Sequence, residues 1–375
     1  VPSVAPSNWF LRMVIGQKPC FEIVTKGKGL FTQRTSGKVN GGWIVILVVA
    51  ALAVAAILRL DATGDRGSGL SDAYAYDVAR LARIDPNLIL YEESEPTIQT
   101  GLSQSRAIAL DKAGRIYVAG DMSIRVFDAS GNLERTISLT GAPQCLTIGE
   151  DGGIYVGMKD HVEVLDAQGK GVASWDPLGE EAVLTSIARH GDAVLVADAG
   201  HRVVLHYDLA GTLVAHLGEK DPERGIPGFA VPSPHFELAV SPDGLIRVAN
   251  PGRNRIDTFT LDGHLEFWWG ERSNEIKGFC GCCNPVAFAL LPNGGFVTAE
   301  KGLVRVKVYN SDGGFVGVVA GPDQFASGKQ IRICERPEDG QEWGLDLAVG
   351  ADGRVYVLDP VDNTVKTFRK KRADQ

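Results

Sequence analysis

The stretch GRIYVAGDMSIRVFD, residues 114–128, decides the fold, because a close variant of it recurs near the end of the chain as GRVYVLDPVDNTVKTF, residues 353–368. In both stretches, short runs of β-branched and aromatic residues flank a polar turn. Alternation of apolar and polar residues with a period of two indicates β-strands, and the polar break between them indicates a tight connection. Each stretch therefore predicts a pair of adjacent antiparallel strands.

The same pattern recurs from residue 87 to the end of the chain. Each unit contains a strand, an Asp-Gly-type turn, a strand, a polar turn, a strand, a second glycine turn and a strand. This takes roughly 40–50 residues, the size of one propeller blade. One blade cannot bury both of its faces, so successive blades must stack around an axis. We predict an all-β, six-bladed propeller with units that begin at Ala107, Cys145, Thr185, Glu237, Ala287 and Leu345.

The last unit lacks a fourth strand, because the chain ends at TVKTFRKKRADQ. The stretch NLILYEES, residues 87–94, has a strand pattern but no neighbouring partner in the sequence. We expect residues 88–94 to form the outer strand of the blade that begins at Leu345, which closes the ring and covers an open edge.

These motifs resemble NHL repeats, whose pattern is close to G-x-I-Y-V-A-D-x-x-N-x-R-I-x-x-F, and the resemblance covers about residues 87–370. It implies an NHL-type β-propeller, a family that includes binding platforms for protein and RNA, lyases and lactonase-like relatives. The motif GCCNP, residues 281–285, followed by LLPNGGFVTAEKGLVRVKVY, is similar to a membrane-anchored bacterial subgroup without an assigned activity.

Residues 39–58 contain no charged side chain, and Lys38 and Arg59 bracket them. An apolar helix of about 20 residues covers a hydrocarbon core of about 30 Å. The basic flank before it should stay in the cytoplasm, so we expect the propeller on the periplasmic or outer side of the bacterial inner (cytoplasmic) membrane. The predicted segments are a cytoplasmic segment (1–38), a single transmembrane helix (39–60), a linker with a short helix (61–86) and the propeller (87–375).

Charge and composition indicate the partners. Residues 1–40 carry +5 and the whole chain carries −8, so the remainder carries −13, which argues against nucleic acid as a ligand. Residues 1–40 are too few to bury a core of their own, so we expect another protein to hold them. The predicted partners are the lipid bilayer and other subunits of a membrane complex. The predicted contact residues are the aromatic anchors Trp9, Phe10, Phe21 and Phe31, with Ala51 and Ala55 as a small-residue helix contact.

Three of the six cysteines lie in GFCGCCNPVAF, residues 278–288. We expect Cys280, Cys282 and Cys283 in the loop between the fourth and fifth blades, and Cys334 in the next such loop on the same rim. Thiols outside the cytoplasm tend to pair, so one or two structural disulfides without metal are favoured, for example between Cys334 and one of the other three. A vicinal Cys282–Cys283 bond, a zinc, copper or iron–sulfur site, and a redox-active thiol stay open.

Four polar residues each end a second strand: Asp198, Asn250, Glu300 and Asp359. Such a ring could hold a divalent cation on the axis, as in lactonase-like propellers. In NHL repeats, however, a residue at this position belongs to the repeat and caps the next turn, and we favour that structural role. Cys145 is predicted to be core, and His235 to approach the face with the cysteines.

The sequence contains no G-x-S-x-G, phosphate-loop, dinucleotide-binding or C-x-x-C-H motif. The predicted function is therefore a non-catalytic, membrane-anchored accessory or scaffold subunit, with no cofactor, and an electron-transfer or photosynthetic complex is the suggested setting. The alternatives are a lactonase- or lyase-like propeller enzyme with a cation on the axis, or a protein whose cysteines hold a metal or act in redox chemistry.

Overall fold

The computed structural model describes residues 45–52, 77–330 and 344–372. The chain divides into two compact units, Val1–Ala75 and Tyr76–Gln375. In the first unit, residues 45–52 form a helix, α1, with exposed side chains. Among the described residues we find no helix with the length and apolar character needed to cross a bilayer. Most of the predicted span at residues 39–60 lies outside the described residues, so the span stays a prediction.

The described residues of the second unit form six four-stranded antiparallel sheets. The first strands of neighbouring sheets contact one another around a closed ring, in which the strand Ser105–Leu110 touches both Cys145–Ile148 and Asp346–Val349. This is the predicted six-bladed propeller.

The blades are formed by the following strands. Blade one is β2 (Ser105–Leu110), β3 (Ile116–Gly120), β4 (Ser123–Phe127) and β5 (Leu133–Ser138). Blade two is β6 (Cys145–Ile148), β7 (Ile154–Gly157), β8 (Val162–Leu165) and β9 (Gly171–Ser174). Blade three is β10 (Leu184–His190), β11 (Ala193–Asp198), β12 (Val203–Tyr207) and β13 (Leu213–Leu217). Blade four is β14 (Leu238–Val240), β15 (Ile246–Asn250), β16 (Arg255–Phe259) and β17 (Leu265–Trp269). Blade five is β18 (Ala287–Leu290), β19 (Phe296–Ala299), β20 (Val306–Tyr309) and β21 (Phe315–Ala320). Blade six is β22 (Asp346–Val349), β23 (Val355–Asp359), β24 (Thr364–Lys370) and, as its outer strand, β1 (Tyr91–Gln99).

The ring closes in blade six, as predicted. Strand β1 pairs antiparallel with β24, with Tyr91 opposite Lys370 and Gln99 opposite Thr364. The strand begins at Tyr91 rather than at residue 88, because the preceding residues contact blade five instead. The Leu90 amide donates a hydrogen bond of 2.9 Å to the Val318 carbonyl. The segment before β1 therefore ties blade six to blade five.

Short helical segments complete the described part of the propeller unit. Helix α2 (Val78–Ala82) lies in the segment 61–86, which was predicted to be a linker with a short helix. The Asp77 carboxylate caps α2 by accepting a 2.9 Å hydrogen bond from the Arg80 amide. Single 3-10 turns occur at Pro86–Leu88, Pro251–Arg253, Pro322–Gln324 and Ser327–Gln330.

The predicted second glycine turns, between the third and fourth strands, form through side-chain acceptors. In blade one, Asp128 Oδ1 accepts hydrogen bonds from the amides of Ser130 at 2.9 Å and Asn132 at 2.8 Å. Gly131 in this turn has a φ of 85°, a conformation that glycine adopts without steric cost. The side chain of Asp128 thus replaces backbone partners that the tight turn leaves unsatisfied.

The core lies between the blades. The second strand of a blade is covered on both faces, and every residue of β3, β11, β15 and β23 is buried. Between blades three and four, for example, Leu238, Val248 and Phe259 pack against Leu195 and Val204. This burial fixes the first strands around the axis, where their starting residues face a shared space.

Candidate functional site

A cavity of about 470 Å³ lies at the axis, at the end of the ring where the first strands begin. Every blade contributes the beginning of its first strand to the cavity wall. The repeat is in register here, so one position of each blade meets the others around the axis. We name these six residues the axial ring: Ala107, Cys145, Ser186, Glu237, Ala287 and Asp346.

Two members of the axial ring are acids. Asp346 Oδ2 accepts a 2.8 Å hydrogen bond from the Ile108 amide, and Oδ1 accepts one of 2.8 Å from the Leu347 amide. Burial raises the pKa of Asp346 to about 6. Burial, and next the nearby Asp346, raise the pKa of Glu237 well above its usual range. Two interacting carboxyl groups in this environment retain a proton near neutral pH.

Ser186 joins the acid pair to the neighbouring blade. Its hydroxyl donates to Glu237 Oε1, and its oxygen accepts a 3.2 Å hydrogen bond from the Leu238 amide. The hydroxyl therefore bridges blades three and four. A catalytic nucleophile needs an adjacent base that is free to take its proton. The carboxyl group beside Ser186 is that of Glu237, and its raised pKa means that it keeps its own proton near neutral pH.

Cys145 and His235 complete the polar lining. Burial, and next Glu237 and Asp346, raise the pKa of the Cys145 thiol well above its usual range, so this cysteine is a neutral thiol. Burial, and next Lys301, lower the pKa of His235 to about 3, so its ring is neutral. Its Nε2 atom is buried and has no hydrogen-bond partner among the described residues. His235 thus lines the cavity. Val286, in the loop that leads into the fifth blade, lines the same cavity.

The four polar residues at the ends of second strands have a structural role. Each accepts a hydrogen bond from a backbone amide in the loop that leads into its own blade, which extends the turn-capping role predicted from the sequence. Asp121, which directly follows β3, does the same for the amide of Gln104 at 2.9 Å in blade one. The other contacts are Asp198 to Val183 at 3.0 Å, Asn250 to Ala230 at 2.9 Å, Glu300 to Cys280 at 2.7 Å and Asp359 to Ser327 at 3.0 Å.

Within residues 45–52, 77–330 and 344–372, no group of three or more His, Cys, Asp or Glu side chains is arranged to hold a metal ion.

A buried ion cluster lies beneath the cysteine loop. Glu300 Oε2 lies 2.6 Å from Arg305 Nε and 3.2 Å from Lys307 Nζ, and all three side chains are 1% exposed or less. Lys307 also donates a 2.6 Å hydrogen bond to the Gly278 carbonyl and lies 4.6 Å from the centre of the Phe279 ring. Burial lowers the pKa of Lys307 to about 8. The cluster holds the loop of residues 278–284 on blade five.

The cysteine loop lies between blades four and five, as predicted. Cys280 is buried, its Sγ lies 3.3 Å from Asn274 Oδ1, and burial, and next Glu300, raise the pKa of its thiol. Helix α2 packs on this loop, with Leu81 and Ala82 in contact with the cluster formed by Cys280 and Leu303. The segment before β1 therefore covers one side of the loop.

Cys282 is exposed, and its Sγ lies 3.9 Å from Cys283 Sγ, beyond the length of a disulfide bond. No disulfide bond links two of the four cysteines that the structure describes. Cys334 lies outside the described residues, so its pairing with one of the other three stays a prediction.

The predicted partner contacts are described only at Ala51, which is an exposed residue of α1. Trp9, Phe10, Phe21, Phe31 and Ala55 lie outside the described residues. Phe267 and Trp268 were not among the predicted contact residues, and they are 39% and 53% exposed on the outer strand of blade four. The run LEFWW, in which apolar and aromatic residues extend beyond simple alternation, is the signal that could have identified them.

No protein-family model and no curated protein matches the chain. Solved structures do. A streptogramin B lyase is 10% identical, with a TM-score of 0.50 over 75% of this chain and 98% of that chain. Virginiamycin B lyase from Staphylococcus aureus is 9% identical, with a TM-score of 0.50 over 75% of this chain and 100% of that chain. A protein of unknown function from Bacteroides caccae is 16% identical, with a TM-score of 0.47 over 60% and 84%. At these identities the two lyases support the propeller fold alone.

Proposed function

We propose that this chain is a non-catalytic, membrane-anchored propeller that serves as an accessory or scaffold subunit of a membrane protein complex. The observation that carries the proposal is the outer strand of blade four. Phe267 and Trp268 are 39% and 53% exposed there, and β17 pairs with β16 alone among the described strands. Exposed aromatic side chains of this kind are the residues that dominate binding energy at protein interfaces.

Arginine side chains hold both aromatic rings in place. The Arg255 guanidinium lies 4.6 Å from the Trp268 ring centre, and the Arg247 guanidinium lies 5.0 Å from that of Phe267. Both arginine side chains are largely buried, at 12% and 10% exposure. Each ring is therefore supported from below while its outer face stays in solvent, so docking would cost little side-chain entropy. We name Phe267 and Trp268 the aromatic edge.

The axial cavity is consistent with a binding role. The four polar residues at the ends of second strands each accept a hydrogen bond from a loop amide, and Ser186 is held between two blades. The proposed partners are other subunits of the membrane complex. The predicted span at residues 39–60 and the aromatic side chains within residues 1–38 support this choice. An electron-transfer or photosynthetic complex is the proposed setting.

Photo-crosslinking in the native membrane tests this proposal. We would replace Trp268 with p-benzoylphenylalanine, irradiate intact membranes and look for a discrete crosslinked product. Val172, which is 67% exposed on the outer strand of blade two, is the matched control position. The proposal requires a crosslinked protein band from position 268 that is absent from position 172. Equal labelling at both positions, or none at either, would contradict it.

A second candidate function is a propeller enzyme of the lactonase or lyase type. Its supporting observation is the proton-retaining pair Glu237 and Asp346, which faces a cavity of ligand size. An assay of lactone opening and elimination with added divalent cations tests it. An enzyme would lose activity in Glu237→Gln while the control Glu266→Gln, at an exposed position of β17, keeps it.

A further inference from the structure

A second cavity, of about 490 Å³, lies between blades five and six. It is lined by the turns that follow the first strands, Leu291–Asn293 and Ala351–Arg354, whereas the axial cavity is lined by the residues that begin those strands. The two cavities therefore open at opposite ends of the strands. We name the second one the inter-blade groove.

The floor of the groove is apolar. Tyr91 and Val308 are buried, Leu90 and Leu291 are partly buried, and Val316 is 46% exposed. These side chains come from the segment that ties the two blades together, from the first turn of blade five and from β20 and β21. The floor thus offers apolar side chains to an alkyl or other apolar group, in a volume typical of small-ligand sites.

The rim of the groove is basic. Its described lining residues include three cations, Arg354, Arg369 and Lys370, and one acid, Asp352. Arg354 Nε lies 2.7 Å from Asp352 Oδ2, and Arg369 Nη2 lies 2.9 Å from Glu92 Oε1.

Lys370 forms no ion pair with the residues that the structure describes, and the exposed Lys371 and Arg372 follow it. The chain as a whole carries −8, so a basic rim is a local departure from its surroundings. This charge selects an anionic head group and disfavours a cationic one.

We infer that the inter-blade groove binds a single-chain fatty carboxylate, with the alkyl chain on the apolar floor and the carboxylate at Lys370, since both guanidinium groups of the rim are already paired with acids of the chain. An apolar floor beside a lysine without an ion pair among the described residues matches both halves of such a molecule. The groove holds one small ligand by volume, which favours a fatty carboxylate over a longer peptide. This inference does not depend on the proposed subunit role.

The test uses the full chain in phosphatidylcholine nanodiscs and octanoate as the probe, with empty nanodiscs as the blank for partition into lipid. Saturation-transfer NMR measures binding. We expect saturable binding of octanoate, none of octylammonium, and an affinity that rises about fourfold for each added methylene up to decanoate.

Two variants locate the site. Lys370→Glu should weaken octanoate binding at least tenfold, and Val316→Glu, at an exposed position of the floor, should abolish it. Lys329→Glu makes the same charge change at an exposed position outside the groove lining and should leave binding unchanged. All three variants should keep the wild-type unfolding temperature.

The inference is overturned if octanoate gives no saturable signal above empty nanodiscs. It is also overturned if octylammonium binds equally well, or if Lys329→Glu weakens binding as much as Lys370→Glu.

Discussion

Glu237 and Asp346 occupy the same position of the repeat two blades apart, and the small side chain of Ala287 stands at that position in the blade between them. The two carboxyl groups therefore face the same cavity without a bulky group to separate them. Burial raises the pKa of both carboxyl groups, and repulsion from Asp346 raises that of Glu237 further.

The acid pair makes stability depend on pH. The pKa of Asp346 is about 6 in the folded chain and about 3.8 when unfolded, so the folded state binds more protons between these values. The free energy of unfolding should then fall as pH rises from about 4 to 6, by about 2–3 kcal/mol from this group. Urea unfolding at a series of pH values measures it.

The matching variant is Glu237→Gln. The amide keeps an acceptor for the Ser186 hydroxyl but cannot ionise. Because the raised pKa of Glu237 penalises the folded state at higher pH, the variant should gain stability relative to wild type at pH 8 and not at pH 4. Glu266→Gln, on the exposed outer strand of blade four, is the control. A stability difference that is equal at both pH values would contradict the proton-retaining pair.

Removal of the carboxylate under the cysteine loop should be strongly destabilising. Glu300→Ala leaves Arg305 and Lys307 buried without their anion and removes the acceptor for the Cys280 amide. We expect a loss of about 3–5 kcal/mol in the free energy of unfolding. Asp352→Ala breaks an exposed pair with Arg354 and should cost less than about 1 kcal/mol. Similar losses in the two variants would show that the buried cluster has no special role.

Because of Lys307, the free energy of unfolding should be higher at high pH than near neutral pH. Its pKa is about 8 when folded and 10.5 in the reference state, so between these values the unfolded chain holds a proton that the folded chain has released. Relative to Lys307→Met, the wild-type free energy of unfolding should therefore rise by about 3 kcal/mol from pH 7.5 to 10.5. Unfolding curves under reducing conditions measure the difference. Parallel pH profiles for the two proteins would refute the assigned pKa shift.

The cysteine face of the purified chain, which comprises Cys280, Cys282, Cys283 and Cys334, should be oxidised and metal-free. If Cys334 pairs with one of the loop cysteines, reduction should raise the intact mass by the two hydrogen atoms that one disulfide takes up. Cys334→Ser should then lower the free energy of unfolding by about 2–4 kcal/mol. Metal analysis of the folded chain accompanies the mass measurement. Stoichiometric zinc, copper or iron would instead support the cysteine-ligated metal protein.

Much of the fold was accessible from the sequence because the strands alternate regularly and the last blade lacks a strand that residues 87–94 could supply. The axial ring was not accessible from the sequence, because Glu237 in FELAV and Asp346 in LDLAV have the pattern of ordinary residues in alternating strands. Their chemistry arises only when the blades meet at the axis and burial shifts both pKa values. A strict alignment of the repeats would have placed both acids at one position.

The ion cluster was missed for a related reason. Arg305 and Lys307 in the run VRVKV have the alternation of a strand with one face in solvent. In the structure both are buried, because Glu300 neutralises part of their charge and the cysteine loop covers them. Cover by a distant loop has no local signal in the sequence.

The subunit proposal is tested most directly by the mass of the chain after gentle detergent extraction from its native membrane. Sedimentation analysis, corrected for bound detergent, gives the protein mass of the extracted species. The account predicts a mass well above the 40.1 kDa of one chain, and a return to the single-chain mass in a variant that combines Phe267→Ala with Trp268→Ala. Wild-type chain recovered as a monomer would contradict the subunit role and favour the propeller enzyme.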